Sequence, residues 1–550
     1  MIIRQTEIIW ENDLFALSIP ALLLLFLWIL KRRYPQKIKQ KVSEIPTKYF
    51  TYAGLILFIG FFIHFTLRWA LARFPLLDPQ TVIFTLSMPL EGVDSETFAS
   101  VVKQIVLPAI FFVAISIFLI FLIKKNLHQH LRLPFKAKKI PLVISYTVLF
   151  LAVSSIFITL PVDGYMYVID QRKAKPEHSE FYEKYYVNPE EVNITFPRKK
   201  KNLVLIIMES MENTFSDKQS GGGLFEKDSI PELTRLAKNN INFSHNNLVG
   251  GGKDLFGTHW TIAGIIAKTC GIPFNMPIDG NANFSVDFLP GAKGLTDVLS
   301  DNGYKQRFLF GSNKTFASRG KFFETHGNVE VLDLLHYKEI GKVPEDYYVF
   351  WGIEDAKLFA LAKEELEDIS AQDKPFMLGM LTVDTHFPHG YICDLCDKET
   401  VGDTDSSKLQ TVFRCASKQV NDFISWIQSQ SWSRDTVIVV VGDHLFMDKE
   451  TFPKEIKESR GWLNVFINSS INPKAEKNRN FSSFDMFPSI LESMGVKVEG
   501  HALGLGRSLF SNRPTILEEL KDVEYINNEL MMRNIQYDNF IYNVKYNAKN

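Results

Sequence analysis

The stretch DTVIVVVGDH, Asp435 to His444, decides the fold. Val437 to Val441 is an unbroken β-branched apolar run with no polar residue to face water. A strand of this kind has to be covered on both faces. The same pattern recurs in NLVLIIMES, where Leu203 to Met208 is apolar, and in KPFMLGMLTVDTH, from Lys374 to His386. Helical patterns lie between these runs: IPELTRLAKNN from Ile230, GLTDVLSDNGY from Gly294 and IEDAKLFALAKEELEDI from Ile353. Strands alternating with helices predict an α/β domain with a mainly parallel sheet flanked by helices.

In such sheets, ligands bind beyond the carboxyl ends of the strands. The three apolar runs end in Glu209, in Asp443-His444 and in Asp384-Thr385-His386. A single glutamate at a strand end is as readily structural as functional. An Asp-His pair one glycine past a buried strand is a stronger signal. Carboxylate oxygen suits Mn or Mg, and imidazole favours transition metals.

A second segment competes for attention. GGGKDLFGTHWT, Gly250 to Thr261, resembles a phosphate-gripping loop at first sight. The P-loop needs Ser or Thr directly after its lysine, to hold Mg. Here Asp254 follows Lys253, and a carboxylate there repels phosphate. The glycines are instead expected to give a flexible approach to Thr258, just before HWTIAGIIAKTC, which reads as a helix start. A hydroxyl beside free N–H groups at a helix N-terminus suits a nucleophile or a bound phosphate. The plain alternative for Thr258 is an N-cap.

Outward from this core, the chain of 550 residues exceeds one ordinary domain, and its formal net charge of -1 gives no support to a nucleic-acid partner. Four long apolar runs fall early: Leu14 to Leu30, Tyr49 to Leu71, Ile105 to Ile123 and Pro141 to Leu160. Each is of transmembrane length. Basic clusters follow the first run (Lys31, Arg32, Arg33) and the third (Lys124, Lys125, Arg132), while the other loops lean acidic. Basic loops stay in the cytoplasm. The expected arrangement is a membrane domain over residues 1–162, with about four helices. A connector over 163–201, an extracytoplasmic domain over 202–512 and a C-terminal tail over 513–550 follow it.

All four cysteines, Cys270, Cys393, Cys396 and Cys415, lie in the part expected outside, where disulfides persist. Cys393 and Cys396 form a CxxC, which is open to zinc or redox chemistry. No second CxxC and no histidine cluster accompanies it. Structural disulfides are the favoured reading, with Cys396–Cys415 closing the polar loop DKETVGDTDSSK.

Taken together, NLVLIIMESMENTF, GTHWTIAGIIAKTCGIP, LTVDTHFPHGY, DTVIVVVGDHL and GLGRSLF resemble the phosphoglycerol transferase and lipoteichoic acid synthase family. That family belongs to the alkaline phosphatase and sulfatase superfamily. The likeness runs from about Asn202 to Phe510. It implies one divalent cation, Mn or Mg, held by Glu209, Thr258, Asp443 and His444. It implies Thr258 as nucleophile, with Thr261 as the fallback. His386 matches a residue that contacts the substrate phosphate or glycerol and can serve in acid–base catalysis. Arg319 matches a substrate-binding arginine, and Trp351 falls in a recurring motif on the substrate side. The implied reaction moves glycerophosphate from phosphatidylglycerol in the lipid bilayer to a glycan outside the cytoplasmic membrane, through a phosphothreonine. Where lipoteichoic synthases carry a histidine and a tryptophan, this chain has Phe310 or Gly311 and Ala317. That departure shifts the reading toward the branch that modifies periplasmic glucans. The competing readings are a phosphoethanolamine transferase or a lipoteichoic acid polymerase of the same fold, and a non-catalytic, glycan-binding membrane scaffold.

Overall fold

The computed structural model describes residues 47–73, 101–130, 179–275, 287–386, 390–396, 405–447 and 459–542 apart from 533, with a few isolated positions elsewhere. These residues fall into two compact units, one within residues 1–167 and the other within 168–550.

The first unit contains helices α1 (Thr47–Arg73) and α2 (Leu107–His130), the latter preceded by a π-helical turn, Val102–Val106. Leu57, Phe61 and Phe65 of α1 pack with Ala109 and Phe112 of α2, and the Phe61 and Phe112 rings lie 5.5 Å apart. Leu107, Ile110, Phe111, Phe118 and Phe121 of α2 are exposed, so this helix is apolar on every side. The segment Val102–Leu122, 21 residues, is long and apolar enough to cross a membrane, the only such helix among the described residues. α1 carries a shorter apolar stretch, Thr51–Thr66. The runs expected at 14–30 and 141–160 lie largely outside the described residues.

The second unit is built on seven strands: β1 (Asn202–Met208), β2 (Gly251–Gly252), β3 (Lys305–Phe310), β4 (Glu330–Leu332), β5 (Phe376–Leu381), β6 (Thr436–Gly442) and β7 (Trp462–Ile467). Their order across the sheet is β2-β7-β6-β1-β5-β3-β4. The run β6-β1-β5-β3-β4 is parallel, and β7 and β2 join antiparallel at one edge. The continuous apolar runs are therefore the three central strands, as full burial requires.

Burial divides these runs by the strand period of two. Leu203, Leu205, Ile207, Val437, Val439 and Val441 enter one hydrophobic cluster, while Val204, Ile206, Met208, Ile438 and Val440 enter the other. Helices α4 (Thr261–Cys270), α5 (Leu295–Asp301) and α9 (Met486–Ser493) contribute to the first cluster. Helices α3 (Pro231–Asn239), α7 (Asp355–Ser370) and α8 (Asp405–Ser429) contribute to the second. Leu205, at 1% exposure on the central strand, tests this packing. Leu205→Ala is expected to lower unfolding free energy by about 3 kcal/mol. Leu335→Ala, at a half-exposed site, should stay within about 0.5 kcal/mol. Denaturant midpoints of the two variants read the difference.

Two sequence expectations change here. The glycine run is not a flexible approach: Gly251 and Gly252 form edge strand β2, paired with Leu463 and Trp462 of β7. A Cβ on Gly251 would stand 1.9 Å from the Trp462 carbonyl oxygen, and one on Gly252 would stand 2.0 Å from the Trp462 ring. The glycines are there because the neighbouring strand and indole leave no room for a side chain. The connector and tail are also part of the fold. Phe181, Tyr182 and Tyr185, with Ile526, Leu530, Tyr537 and Phe540, join the first hydrophobic cluster. The tail reaches the loops flanking α4: the Phe256 N–H donates to Asn527 Oδ1 at 2.8 Å, and the Tyr537 hydroxyl donates to the Pro273 carbonyl at 2.8 Å.

Candidate active site

The register of the three central strands places their ends side by side. Ile207 lies opposite both Leu381 and Val441, and Met208 lies opposite Gly442. The next residues, Glu209 and Asp443, therefore emerge together. The Glu209 N–H donates to Thr382 Oγ1 at 3.1 Å, and the Thr385 hydroxyl donates to the Glu209 carbonyl at 2.6 Å. Ser210 then turns the chain with φ of 54°, a strained value for a residue with a side chain. This turn points its N–H at Asp443 Oδ1, 2.7 Å away, and its hydroxyl at Glu209 Oε1, also 2.7 Å away.

Glu209, Asp443 and His444 offer one ligand atom each within 4.8 Å of one another, all buried. His444 Nε2 stands 3.3 Å from Asp443 Oδ2 and 3.6 Å from Glu209 Oε1. His444 Nδ1 lies 2.8 Å from the Leu445 carbonyl oxygen, which accepts only if Nδ1 carries the proton. In the neutral ring that assignment leaves Nε2 with a lone pair aimed at the carboxylates, while, against burial, the charges of Asp443 and Glu209 push the imidazole up. Neither His444 Nε2 nor Asp443 Oδ2 has a hydrogen-bond partner.

The electrostatics are equally one-sided. Burial, and then the charge of Glu209, pushes the Asp443 carboxyl up to about 7. Glu209 is also opposed by burial, but His386 and His444 hold it below the usual carboxylate range. Two buried carboxylates and an imidazole nitrogen converge on one point, with no hydrogen-bond partner there for Asp443 Oδ2 or His444 Nε2. This donor set fits a divalent cation.

The structure gives the two candidate threonines, Thr258 and Thr261, different surroundings. Helix α4 begins at Thr261, two residues later than expected, because Trp260 is still extended (φ −142°, ψ 161°). Thr258 is therefore not the N-cap of this helix. Its hydroxyl is consumed by Leu255, donating to the carbonyl and accepting from the N–H, both at 2.9 Å. Thr261, the first residue of the helix, instead directs its hydroxyl to Glu209 Oε2 at 3.3 Å.

A pair of residues invisible in the motifs fixes α4 in that position. Gly264 packs on the Asp443 carbonyl so closely that a Cβ would come within 2.2 Å of its oxygen. Lys268, one turn on, donates to that oxygen at 2.6 Å and to Ser483 Oγ at 2.9 Å, with its ammonium 4.4 Å from the Trp462 ring centroid. Thr261, Gly264 and Lys268 share one helix face by their spacing of three and seven. The spacing could be read from sequence only once the helix start was known.

The remaining predicted residues form the opposite wall. Arg319 opens α6 (Arg319–Thr325) behind two left-handed residues, Ala317 (φ 55°) and Ser318 (φ 51°). Its guanidinium donates to the Phe316 carbonyl at 3.1 Å and to Ser312 Oγ at 2.5 Å. Burial pulls Arg319 down to about 10 against the attraction of Glu209 and Asp443, so it remains a cation facing them. The Trp351 ring lies 4.8 Å from the His386 ring and 5.4 Å from that of Phe316. A reciprocal clip joins the Trp351 and His386 segments: the Asp355 carboxylate accepts from the N–H groups of Val383 (2.7 Å) and Asp384 (3.2 Å), and Asp384 Oδ1 accepts from that of Asp355 (3.1 Å). Sequence reading gave neither aspartate this role: Asp384 stands among the polar residues at a strand end, and Asp355 lies within a helical pattern. Cys396 and Cys415 are joined by a disulfide.

A mainly parallel sheet with an acidic and histidine cluster at the strand ends is the architecture to compare with known proteins. The family profile described as Sulfatase matches residues 201–496, and the chain belongs to that family, within the alkaline phosphatase superfamily. It is similar to phosphoglycerol transferase I of Xanthomonas campestris, 32% identical over 321 residues, covering 57% of this chain and 43% of that protein. It is likewise similar to phosphoglycerol transferase I of Escherichia coli, 34% identical over 335 residues, 60% of this chain and 41% of that one. The chain thus matches less than half the length of these curated relatives. Among solved structures, a lipoteichoic acid synthase from Listeria monocytogenes aligns at 17% identity and TM-score 0.46, covering 60% of this chain and 80% of that one.

Proposed function

We propose that the protein is a membrane-anchored transferase that moves glycerophosphate from phosphatidylglycerol to an extracytoplasmic glycan, with Thr261 as its nucleophile. The observation that carries the reading is the Thr261 hydroxyl, held at a helix N-terminus 3.3 Å from Glu209. It stands beside the cluster of Glu209, Asp443 and His444, where those three residues would hold a divalent cation. Similarity to phosphoglycerol transferase I supports the donor.

When bound, the cation supplies Lewis-acid charge at the phosphoryl group and lowers the pKa of a neighbouring hydroxyl. The chain's own residues do the rest. Thr261 Oγ1 attacks the donor phosphorus, and the bond to the diacylglycerol oxygen breaks. The threonine proton is given up on the Glu209 side, and a proton is delivered to the departing oxygen from the His386 side. The N-terminus of α4 and Arg319 face the phosphoryl oxygens with positive charge. Trp351 and Phe316 wall the glycerol end. An acceptor hydroxyl then displaces Thr261 from phosphorus, which gives ping-pong kinetics. The apolar helix Val102–Leu122 supports a bilayer anchor that keeps the site near its lipid donor.

Purified protein incubated with labelled phosphatidylglycerol, labelled phosphatidylethanolamine and a panel of periplasmic glycans tests the reading. Diacylglycerol release and glycan labelling from phosphatidylglycerol are expected. Exclusive use of phosphatidylethanolamine would overturn the donor.

A further inference from the structure

Away from the strand ends, three sulfurs meet in a buried pocket. Cys396 and Cys415 are bonded, and Cys393 Sγ lies 3.5 Å from the first and 3.9 Å from the second. All three side chains are buried. Cys393 is nearly equidistant from the two, so it sits beside the disulfide and not in line with it. In-line placement of the three sulfurs is what thiol–disulfide exchange requires, so this arrangement is a poor exchange relay.

The arrangement matches a different chemistry. A tetrahedral cation with metal–sulfur bonds of about 2.3 Å holds its sulfurs about 3.8 Å apart. Cys393 already stands at those separations from both partners. Burial pushes the Cys393 thiol up, and the backbone amides of Leu395 and Cys396 oppose that shift. A CxxC turn whose first sulfur receives the N–H groups two and three residues on is a ready-made cradle for a thiolate ligand.

An independent group points into the same place. Gln419, one turn beyond Cys415 on α8, is 8% exposed. Its Nε2 donates to Cys415 Sγ at 3.3 Å and to Cys393 Sγ at 3.7 Å, while its Oε1 has no partner. Amide donors to sulfur stabilise negative thiolate, and turning the amide over presents Oε1 as a fourth ligand.

We propose that Cys393, Cys396 and Cys415 form a reduction-gated site for a thiophilic divalent cation of the zinc class, separate from the cluster of Glu209, Asp443 and His444. A dithiol reductant supplies two electrons and two protons. The Cys396–Cys415 bond breaks to two thiols, and the reductant's own sulfurs join. The cation then takes the place of the three thiol protons, which pass to solvent. Oxidised, the cluster ties the segment after His386 to α8 covalently. Reduced and loaded, it ties the same elements through the cation.

Cobalt(II) distinguishes this site from the carboxylate–imidazole one, because only thiolate ligation gives an intense sulfur-to-cobalt charge-transfer absorption. The full-length protein in detergent is titrated with cobalt before and after reduction by a phosphine. The expected result is no band when oxidised, and a band saturating at one equivalent per chain when reduced. Cys393→Ser, which keeps the disulfide partners, should weaken the reduced protein's cobalt affinity about tenfold or more. Thr261→Ala should leave the band unchanged. No band in the reduced protein, or an undiminished titration in Cys393→Ser, overturns the proposal.

Discussion

Thr261→Ala is expected to reduce diacylglycerol release from phosphatidylglycerol by roughly a thousandfold or more, the scale on which loss of a nucleophile acts. Thr258→Ala should not. The argument is one of hydrogen-bond accounting. Thr258 is fully buried, and both roles of its hydroxyl are taken by Leu255. Removing it leaves those backbone groups unpaired and costs about 1–3 kcal/mol of stability, with turnover by the folded fraction preserved. Thr261 has its hydroxyl on Glu209 and its backbone at the start of a ten-residue helix, so alanine there leaves the fold intact. The discriminating measurement is kcat for each variant, normalised to folded protein by circular dichroism. A labelled phosphothreonine trapped from short incubations should map to the peptide containing Thr261. Undiminished kcat in Thr261→Ala, with the label on Thr258, would restore the motif-based assignment.

The contrast between these two threonines shows what the sequence carried. The sheet was legible because its central strands are buried on both faces, which leaves an apolar run no other stable placement. The cluster of Glu209, Asp443 and His444 was legible because these residues stand at the ends of those runs, and strand ends are where such sheets gather polar groups. The start of helix α4 was harder. Helix α4 starts at Thr261 and not nearer Thr258, because Trp260 stays extended with its ring against Phe274, 6.1 Å between centroids. That contact is between residues far apart in local pattern, and no periodicity encodes it. The glycine run misled for the same reason: its need for small residues comes from Trp462, more than two hundred positions away. Lys268 and Asp355 were missed, and the part Asp384 plays beyond its strand-end position was not seen, because each bonds a backbone group of another segment.

The second large effect concerns the cation, and it takes the form of a reversal. In the wild type, chelation is expected to lower the melting temperature by several degrees and abolish transfer. A ligand at a hundred times its dissociation constant stabilises by about 2.7 kcal/mol, and chelation removes that contribution. Without the cation, Glu209 and Asp443 stand as neighbouring buried acids, with Asp443 Oδ2 and His444 Nε2 both lacking a hydrogen-bond partner. Asp443→Asn changes this balance. Its retained carbonyl oxygen still accepts from the N–H groups of Ser210 and His444, each at 2.7 Å. Its new amide nitrogen replaces Oδ2, 3.3 Å from His444 Nε2, and donates to that lone pair. One carboxylate charge and two orphaned atoms disappear together. In chelator, Asp443→Asn should therefore melt at or above the wild type. With manganese or magnesium added, the wild type should rise above the variant, and the variant should be inactive by a hundredfold or more, about 3 kcal/mol or more in transition-state stabilisation. Paired melting curves with and without metal read the crossing. A variant less stable than wild type by the same margin in both conditions would mean that Asp443 only holds the fold, and the cation assignment would fall with it.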